Sequence, residues 1–229
     1  MPLLLYSPVY DEVTKVLHEW AEKLASEVPG VQLCSDWRCF TSMLGEYGRV
    51  SVWCHGEPNA IIVESGAVLA CNNDYIFADH DVYLLSCLSG LQLAPSMVGK
   101  GANSVIAFIR SVAVYVGLGD IFYRVLSMPA RLLAAGVDPM EAYVRSIEYG
   151  AKVLIETYGR IPDVVWSALH SDVTSMVFYA REEGEVKTIT WVQALDMVSS
   201  AIANQIRMSA SLAASIASLS LAYALASRW

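Results

Sequence analysis

The chain has 229 residues, 55% of them hydrophobic, with 23 acidic against 15 basic side chains and a formal charge of −8. That much apolar material builds a sizeable core and excludes a disordered chain, and an acidic chain without a basic run is no phosphate-backbone binder, so nucleic acid is not an expected partner. Five cysteines, without a CxxC pair, fit neither a dense disulfide scaffold nor a zinc or thioredoxin-type motif.

Strand and helix patterns alternate from the start. PLLLYSP is a short apolar run, and Val13, Leu17, Trp20, Ala21 and Leu24 then recur at helical spacing until Pro29 and Gly30 stop the helix. VQLC is a second strand, a short helix is expected around residues 39–44, and VSVWC after Gly48 is the third strand. NAIIVESGAVLA carries a hairpin signal, placing a flap directly after His55. DVYLLSC and ANSVIAFI are further strands, apolar on both faces, as parallel strands covered by helices must be. After a loop region, Asp138 caps a helix with Pro139 at its first position and Glu141 at its third. Ile147, Ala151, Leu154 and Tyr158 make its inward stripe, and Gly159 ends it.

The class expected is therefore α/β, a mostly parallel sheet with helices on both faces. Residues 1–160 form the main domain, residues 161–190 a β-hairpin extension, and residues 191–229 a long C-terminal helix. Residues 208–227 contain no charge, yet Ser and Ala dilute their apolarity. Two readings stay open for them: a membrane anchor, or a helix packed through Leu212, Ile216, Leu219 and Tyr223 onto its own domain or a second copy in a homo-oligomer. The first residues, MPLLLYSPVYDEV, lack a basic stretch followed by a long apolar one. No signal peptide is read there and the expected compartment is cytoplasmic, with membrane association left to the tail.

The chemistry gathers where two strands end. In an open parallel sheet ligands bind outside the carboxyl ends of the strands, and His55 ends the third strand while Cys87 ends the fourth core strand. As neighbours, about 4.8 Å apart in the sheet, those strands deliver an imidazole and a thiol into one cleft. There the histidine takes the thiol proton or pairs with the thiolate, and protonates a leaving amine. Gly56 leaves room for a substrate backbone, and its N–H and that of Cys87 are candidate oxyanion donors.

Each residue also has a plainer reading. A cysteine at a strand end is more often an inert small hydrophobe than a nucleophile. Cys54 points to the opposite face from His55 and belongs to the core; Cys34, Cys39 and Cys71 are structural, a disulfide among them not being readable from the sequence. A zinc site from Cys54, His55, Cys71, His80 and Cys87 is disfavoured, since adjacent strand residues do not readily share a metal. No cofactor is called for. His18, among Glu19 and Glu22, reads as a surface residue, and His170 as a loop residue without a partner.

The blocks VSVWCHG and VYLLSCLSG, followed by GKGANSVIAF, resemble the caspase-like cysteine peptidases, the clan of caspases, gingipains, clostripain, separase and the CHAT proteases. In that clan one apolar strand ends in His-Gly, a second in a small residue plus Cys, and a Gly-Ala-x-x-Val-Ile strand follows. Ser86 is the small residue, Ser89-Gly90 matches the turn after the cysteine, and Gly101, Ala102, Val105 and Ile106 match the next strand. LLAAGVDPMEAYVRSIEYG is similar to the CHAT-type segment, and the likeness covers residues 1–160. It implies a cysteine endopeptidase with Cys87 as nucleophile and His55 as general acid/base, acting on a protein or peptide substrate. Ser86 and Gly56 then lie against the substrate. Arg110, ending the strand after the cysteine, either selects an acidic side chain or pairs with one of the many carboxylates, while Asp74, Asp79 and Asp81 are the alternative, selecting a basic one. The rival to an enzyme is a caspase-like scaffold without activity, kept for assembly or membrane-associated binding. No linker for activation cleavage is evident, and the segment after Pro162 matches nothing in the clan.

Overall fold

A computed structural model describes residues 2–63, 66–115 and 118–206. In chain order the first elements are β1 (Leu3–Tyr6), α1 (Glu12–Glu27), β2 (Val31–Cys34), α2 (Trp37–Met43) and β3 (Arg49–Trp53). Three short strands follow, β4 (His55–Glu57), β5 (Ala60–Val63) and β6 (Gly66–Ala70), then β7 (Asp81–Leu85), α3 (Leu93–Gly99) and β8 (Ser104–Phe108). The remainder is α4 (Gly119–Leu126), α5 (Met128–Ala134), α6 (Pro139–Thr157), α7 (Asp163–Ser175), β9 (Met176–Glu182), β10 (Glu185–Thr190) and α8 (Trp191–Ile206).

The molecule is an α/β protein built on a seven-stranded sheet of order β10-β9-β8-β7-β3-β1-β2, parallel from β2 through β8 and antiparallel at β9 and β10. Leu3, Leu4 and Leu5 are all wholly buried, as are Val50, Val52 and Trp53, because both faces of these strands are covered. On one face Leu3, Leu5, Trp53, Leu85 and Phe108 pack with Leu17 of α1, Phe122 of α4, Ile147 of α6 and Leu169 of α7. On the other, Leu4, Val52, Cys54, Leu84 and Val105 meet Phe40 of α2, Met97 of α3, and Ile61 and Leu69 of the β4-β5-β6 sheet. Residues alternating along one strand thus serve two separate cores.

Several expectations change here. The stretch between β8 and α6 holds two helices, α4 and α5, where a loop was expected. Residues 163–175 are helical, so His170 lies on α7, stacked 5.2 Å from Trp166. The β9-β10 hairpin forms the edge of the main sheet, with Met176 and Phe178 in its core, and the outer strand keeps Glu185 and Lys187 exposed, which guards an open edge against further pairing. In α6, Asp138 does accept from the Met140 and Glu141 N–H groups, and Ile147 and Leu154 face inward, but Tyr158 is 65% exposed. Gly150 takes the inward position instead: a Cβ there would lie 2.8 Å from a Val173 methyl, so its absence lets α7 approach. His18 is half-buried, with Nδ1 2.7 Å from the Ser7 carbonyl oxygen. Among the described residues no helix is long and apolar enough to cross a membrane; the tail considered above, residues 208–227, lies outside them.

Candidate functional site

The strand order decides what meets. From β1 the chain steps outward to β2, then returns to pair β3 on the other side of β1. The loops leaving β1 and β3 part there, which marks the carboxyl edge of the sheet as the place where such a fold has its ligand crevice. Three neighbouring parallel strands each lead to one polar residue at that edge: Asp11 follows β1, His55 follows β3 and Cys87 follows β7. Trp53 lies opposite Leu85 in the β3-β7 register, and the ladder runs one step further through the Cys54 N–H to the Leu85 carbonyl at 3.2 Å. The same register carried two residues further would pair position 55 with position 87, but His55 has by then turned into β4, where it pairs with Ile62. By alternation Trp53 and Leu85 fall on the α1 side of the sheet, whereas Cys54 and Ser86 fall on the α2 and α3 side.

Gly56 is what lets the two strand ends close. A Cβ on it would stand 1.9 Å from Ser86 Oγ and 2.6 Å from the Cys87 carbonyl oxygen, so no larger residue fits without moving backbone. Gly56 therefore packs directly on the Ser86-Cys87 peptide. Ser86 is buried, and its hydroxyl finds no partner among the described residues.

His55 is positioned by a residue the sequence reading did not single out. Its Nε2 lies 2.7 Å from Asp11 Oδ2, and both side chains are over a third exposed, at 37% and 43%. A carboxylate only accepts, so Nε2 carries the proton and Nδ1 is the basic nitrogen. Asp11 is itself fixed as the cap of α1: its Oδ1 accepts the Thr14 N–H at 2.8 Å while Thr14 Oγ1 accepts the Asp11 N–H at 3.0 Å. The Thr14 backbone bond above all, with help from the Thr14 hydroxyl and His55, pulls the carboxyl down to about 2. Tyr10 packs its ring on the imidazole at 5.9 Å and donates its hydroxyl to the Ile62 carbonyl at 2.6 Å, tying loop to hairpin. Cys54, beneath this layer, is a core thiol raised to about 11 by burial.

Cys87 sits half-buried at the head of a tight turn. Leu88 has φ +57°, a left-handed conformation that costs a non-glycine residue about 1 kcal/mol or more. The turn persists because the Leu88 N–H donates to the Arg110 carbonyl at 3.1 Å, the Gly90 N–H to the Phe108 carbonyl at 2.8 Å, and Ser89 Oγ to the Ser86 carbonyl at 3.0 Å. The loop after β8 then folds over the sulfur. The Val112 N–H donates to Cys87 Sγ at 3.3 Å, and the next N–H, of Ala113, donates to Asp172 Oδ1 at 2.9 Å. Asp172 is wholly buried on α7, its Oδ2 has no partner among the described residues, and burial pushes its carboxyl up to about 8.

The other candidates divide. Arg110 is exposed at the same edge and makes no ion pair among the described residues; it stands close enough to His170 to lower that imidazole, after burial, the larger cause. Asp81 starts β7, the opposite end of the strand from Cys87, and Asp74 is buried in a pair with Lys100 Nζ at 2.7 Å. Neither can face a ligand in the crevice, which removes both as selectors of a basic side chain. Cys71 and His80 lie apart from the crevice, His80 bonding the Ala78 and Leu44 carbonyl oxygens. Among the described residues no group of three or more His, Cys, Asp or Glu side chains is arranged to hold a metal.

A capping Asp before a helical pattern is visible in the sequence, but only the placement of β1 beside β3 aims it at His55. Leu88, Val112 and Asp172, the last set among Ser, His and Thr, give no signal in the sequence. In comparisons with known proteins, no family model and no curated protein matches this chain.

Proposed function

We propose that the crevice is the active site of a caspase-like cysteine endopeptidase, with Cys87 as nucleophile, His55 as general acid/base and Asp11 as the group that orients the imidazole. The observation that supports this reading is the close packing of Gly56, the residue after His55, on the Ser86-Cys87 peptide at the carboxyl ends of two neighbouring parallel strands.

The thiol proton passes to His55 Nδ1, and the sulfur attacks the peptide carbonyl carbon, whose oxygen takes the negative charge. Collapse of that intermediate expels the amine, which receives the proton from His55 and leaves a Cys87 thioester. Water, deprotonated by His55, then releases the acid and restores the thiol. Asp11 keeps the proton on Nε2 and stabilises the imidazolium formed in each half-reaction. The Val112 N–H, aimed at the sulfur, holds charge there. The amides of Gly56 and Cys87 are the candidates for the oxyanion, and Arg110 stands at the rim where a substrate side chain would pass.

The test is a mixed peptide library together with timed iodoacetamide labelling. Cleavage should vanish in Cys87→Ala and His55→Ala, and Cys87 should alkylate faster than Cys71, which is also half-buried. No cleavage, with Cys87 and Cys71 labelling at the same rate, would overturn the peptidase and leave the scaffold reading.

A further inference from the structure

Cys34 and Cys39 read from the sequence as structural thiols, and the fold gives them a particular arrangement. Cys34 ends the edge strand β2 and is buried at 4% exposure; Cys39 is exposed on α2. Their sulfurs lie 3.3 Å apart as two free thiols in contact. A disulfide closes that gap to about 2.05 Å, and the Cys39 side chain has solvent around it in which to turn. Aromatic rings wall the other side, Tyr6 meeting Trp37 at 5.1 Å and Phe40 at 5.4 Å. The exposed thiol therefore has the Cys34 sulfur within reach and access to reagents in solution.

We propose that Cys34 and Cys39 are a redox-active dithiol, converted to an intramolecular disulfide by low-molecular-weight disulfides such as oxidised glutathione. Cys39 gives up its proton and its sulfur attacks one sulfur of the reagent, expelling one glutathione thiolate, which takes up a proton. A mixed disulfide remains on Cys39. Cys34 then loses its proton and attacks the Cys39 sulfur, expelling the second glutathione. Two protein thiols are oxidised and one reagent disulfide is reduced to two thiols.

The surroundings set the order of events. Burial, and after it the hydrogen bond and charge of Cys39, push the Cys34 thiol up to about 12, so the exposed partner reacts first. Forming the mixed disulfide removes the Cys39 hydrogen bond and charge and leaves burial, the largest cause, in place, so the second step proceeds through the nearness of the two sulfurs. The new bond staples α2 to the end of β2. At that point the Cys34 carbonyl oxygen accepts the Ser7 N–H at 3.0 Å, in the loop that leads to Asp11.

The full chain is equilibrated with reduced and oxidised glutathione, quenched with acid and mapped by peptide mass under non-reducing conditions. The expected product is a 34–39 cross-link with two fewer free thiols and no glutathione on Cys39. Doubling total glutathione at a fixed reduced-to-oxidised ratio should halve the oxidised-to-reduced protein ratio, because the intramolecular bond releases two glutathiones per disulfide consumed. A protein ratio indifferent to total glutathione, or wild-type chain that keeps glutathione on Cys39, would overturn the proposal; so would Cys34 and Cys39 both staying free while Cys71 reacts. Cys34→Ser should trap the mixed disulfide on Cys39, and the wild-type titration decides the matter even if that variant does not fold.

Discussion

Asp172→Asn isolates one buried carboxyl from the rest of the molecule. The folded chain holds this group at about 8 against an ordinary 3.8, so between those values the folded state keeps a proton that the unfolded chain has lost. Stability therefore falls as pH rises through that window. At about 1.4 kcal/mol per decade, the site alone costs up to ~5 kcal/mol by pH 8, and only about 0.5 kcal/mol at pH 4. Asparagine is neutral throughout and keeps an oxygen for the Ala113 N–H, but it puts an amide NH2 where Oδ2 has no partner, at a cost of about 1–3 kcal/mol. The variant should be less stable than wild type near pH 4, match it between about pH 4.5 and 6, and exceed it by about 2–4 kcal/mol at pH 8. Urea unfolding of both proteins across this range reads the difference directly, since every other titrating group is common to the two. Parallel profiles would refute the reasoning, showing that Asp172 ionises normally in the folded protein.

Asp11→Asn separates the cap from the imidazole: asparagine caps a helix as well as aspartate, so stability should change by less than about 1 kcal/mol, while the proposed peptidase rate falls by roughly 10²-fold or more through loss of an ordered base. Equal loss of both in melting and rate measurements would mean Asp11 matters only to the helix. The stabilisation Asp11 contributes is present above its ordinary value and fades as pH falls through about 2, so wild type and Asp11→Asn should converge in melting temperature in acid. Gly56→Ala should destabilise by about 1–3 kcal/mol in urea, and Ser86→Ala should not rescue it, because the Cys87 carbonyl oxygen at 2.6 Å remains. Ser86→Ala alone removes a buried hydroxyl without a partner and should stabilise by about 1 kcal/mol; a loss of that size would place an unseen acceptor beside it.

The strand cores at residues 50–54, 82–86 and 104–108 were legible because a strand covered on both faces must be apolar at every position. The capped start of α6 was legible because Asp-Pro-x-Glu satisfies a helix terminus through local bonds alone. His170 was misread because Ser, Asp and Thr around it resemble a loop, although Val165, Leu169 and Val173 carry helical spacing. Asp81 failed as a pocket residue because a strand has two ends, and composition does not say which one faces a ligand.

Local chemistry, then, determined which residues pair with their chain neighbours: periodicities, caps, turns and the two strand ends that carry His55 and Cys87. Tertiary structure alone decided which ends become neighbours. Inserting β1 between β2 and β3 aimed Asp11 at His55, and the loop after β8 brought Val112 to the sulfur with Asp172 behind it. Those pairings depend on strand order, which is settled by how whole faces bury against helices from distant parts of the chain, and no spacing along the sequence encodes that.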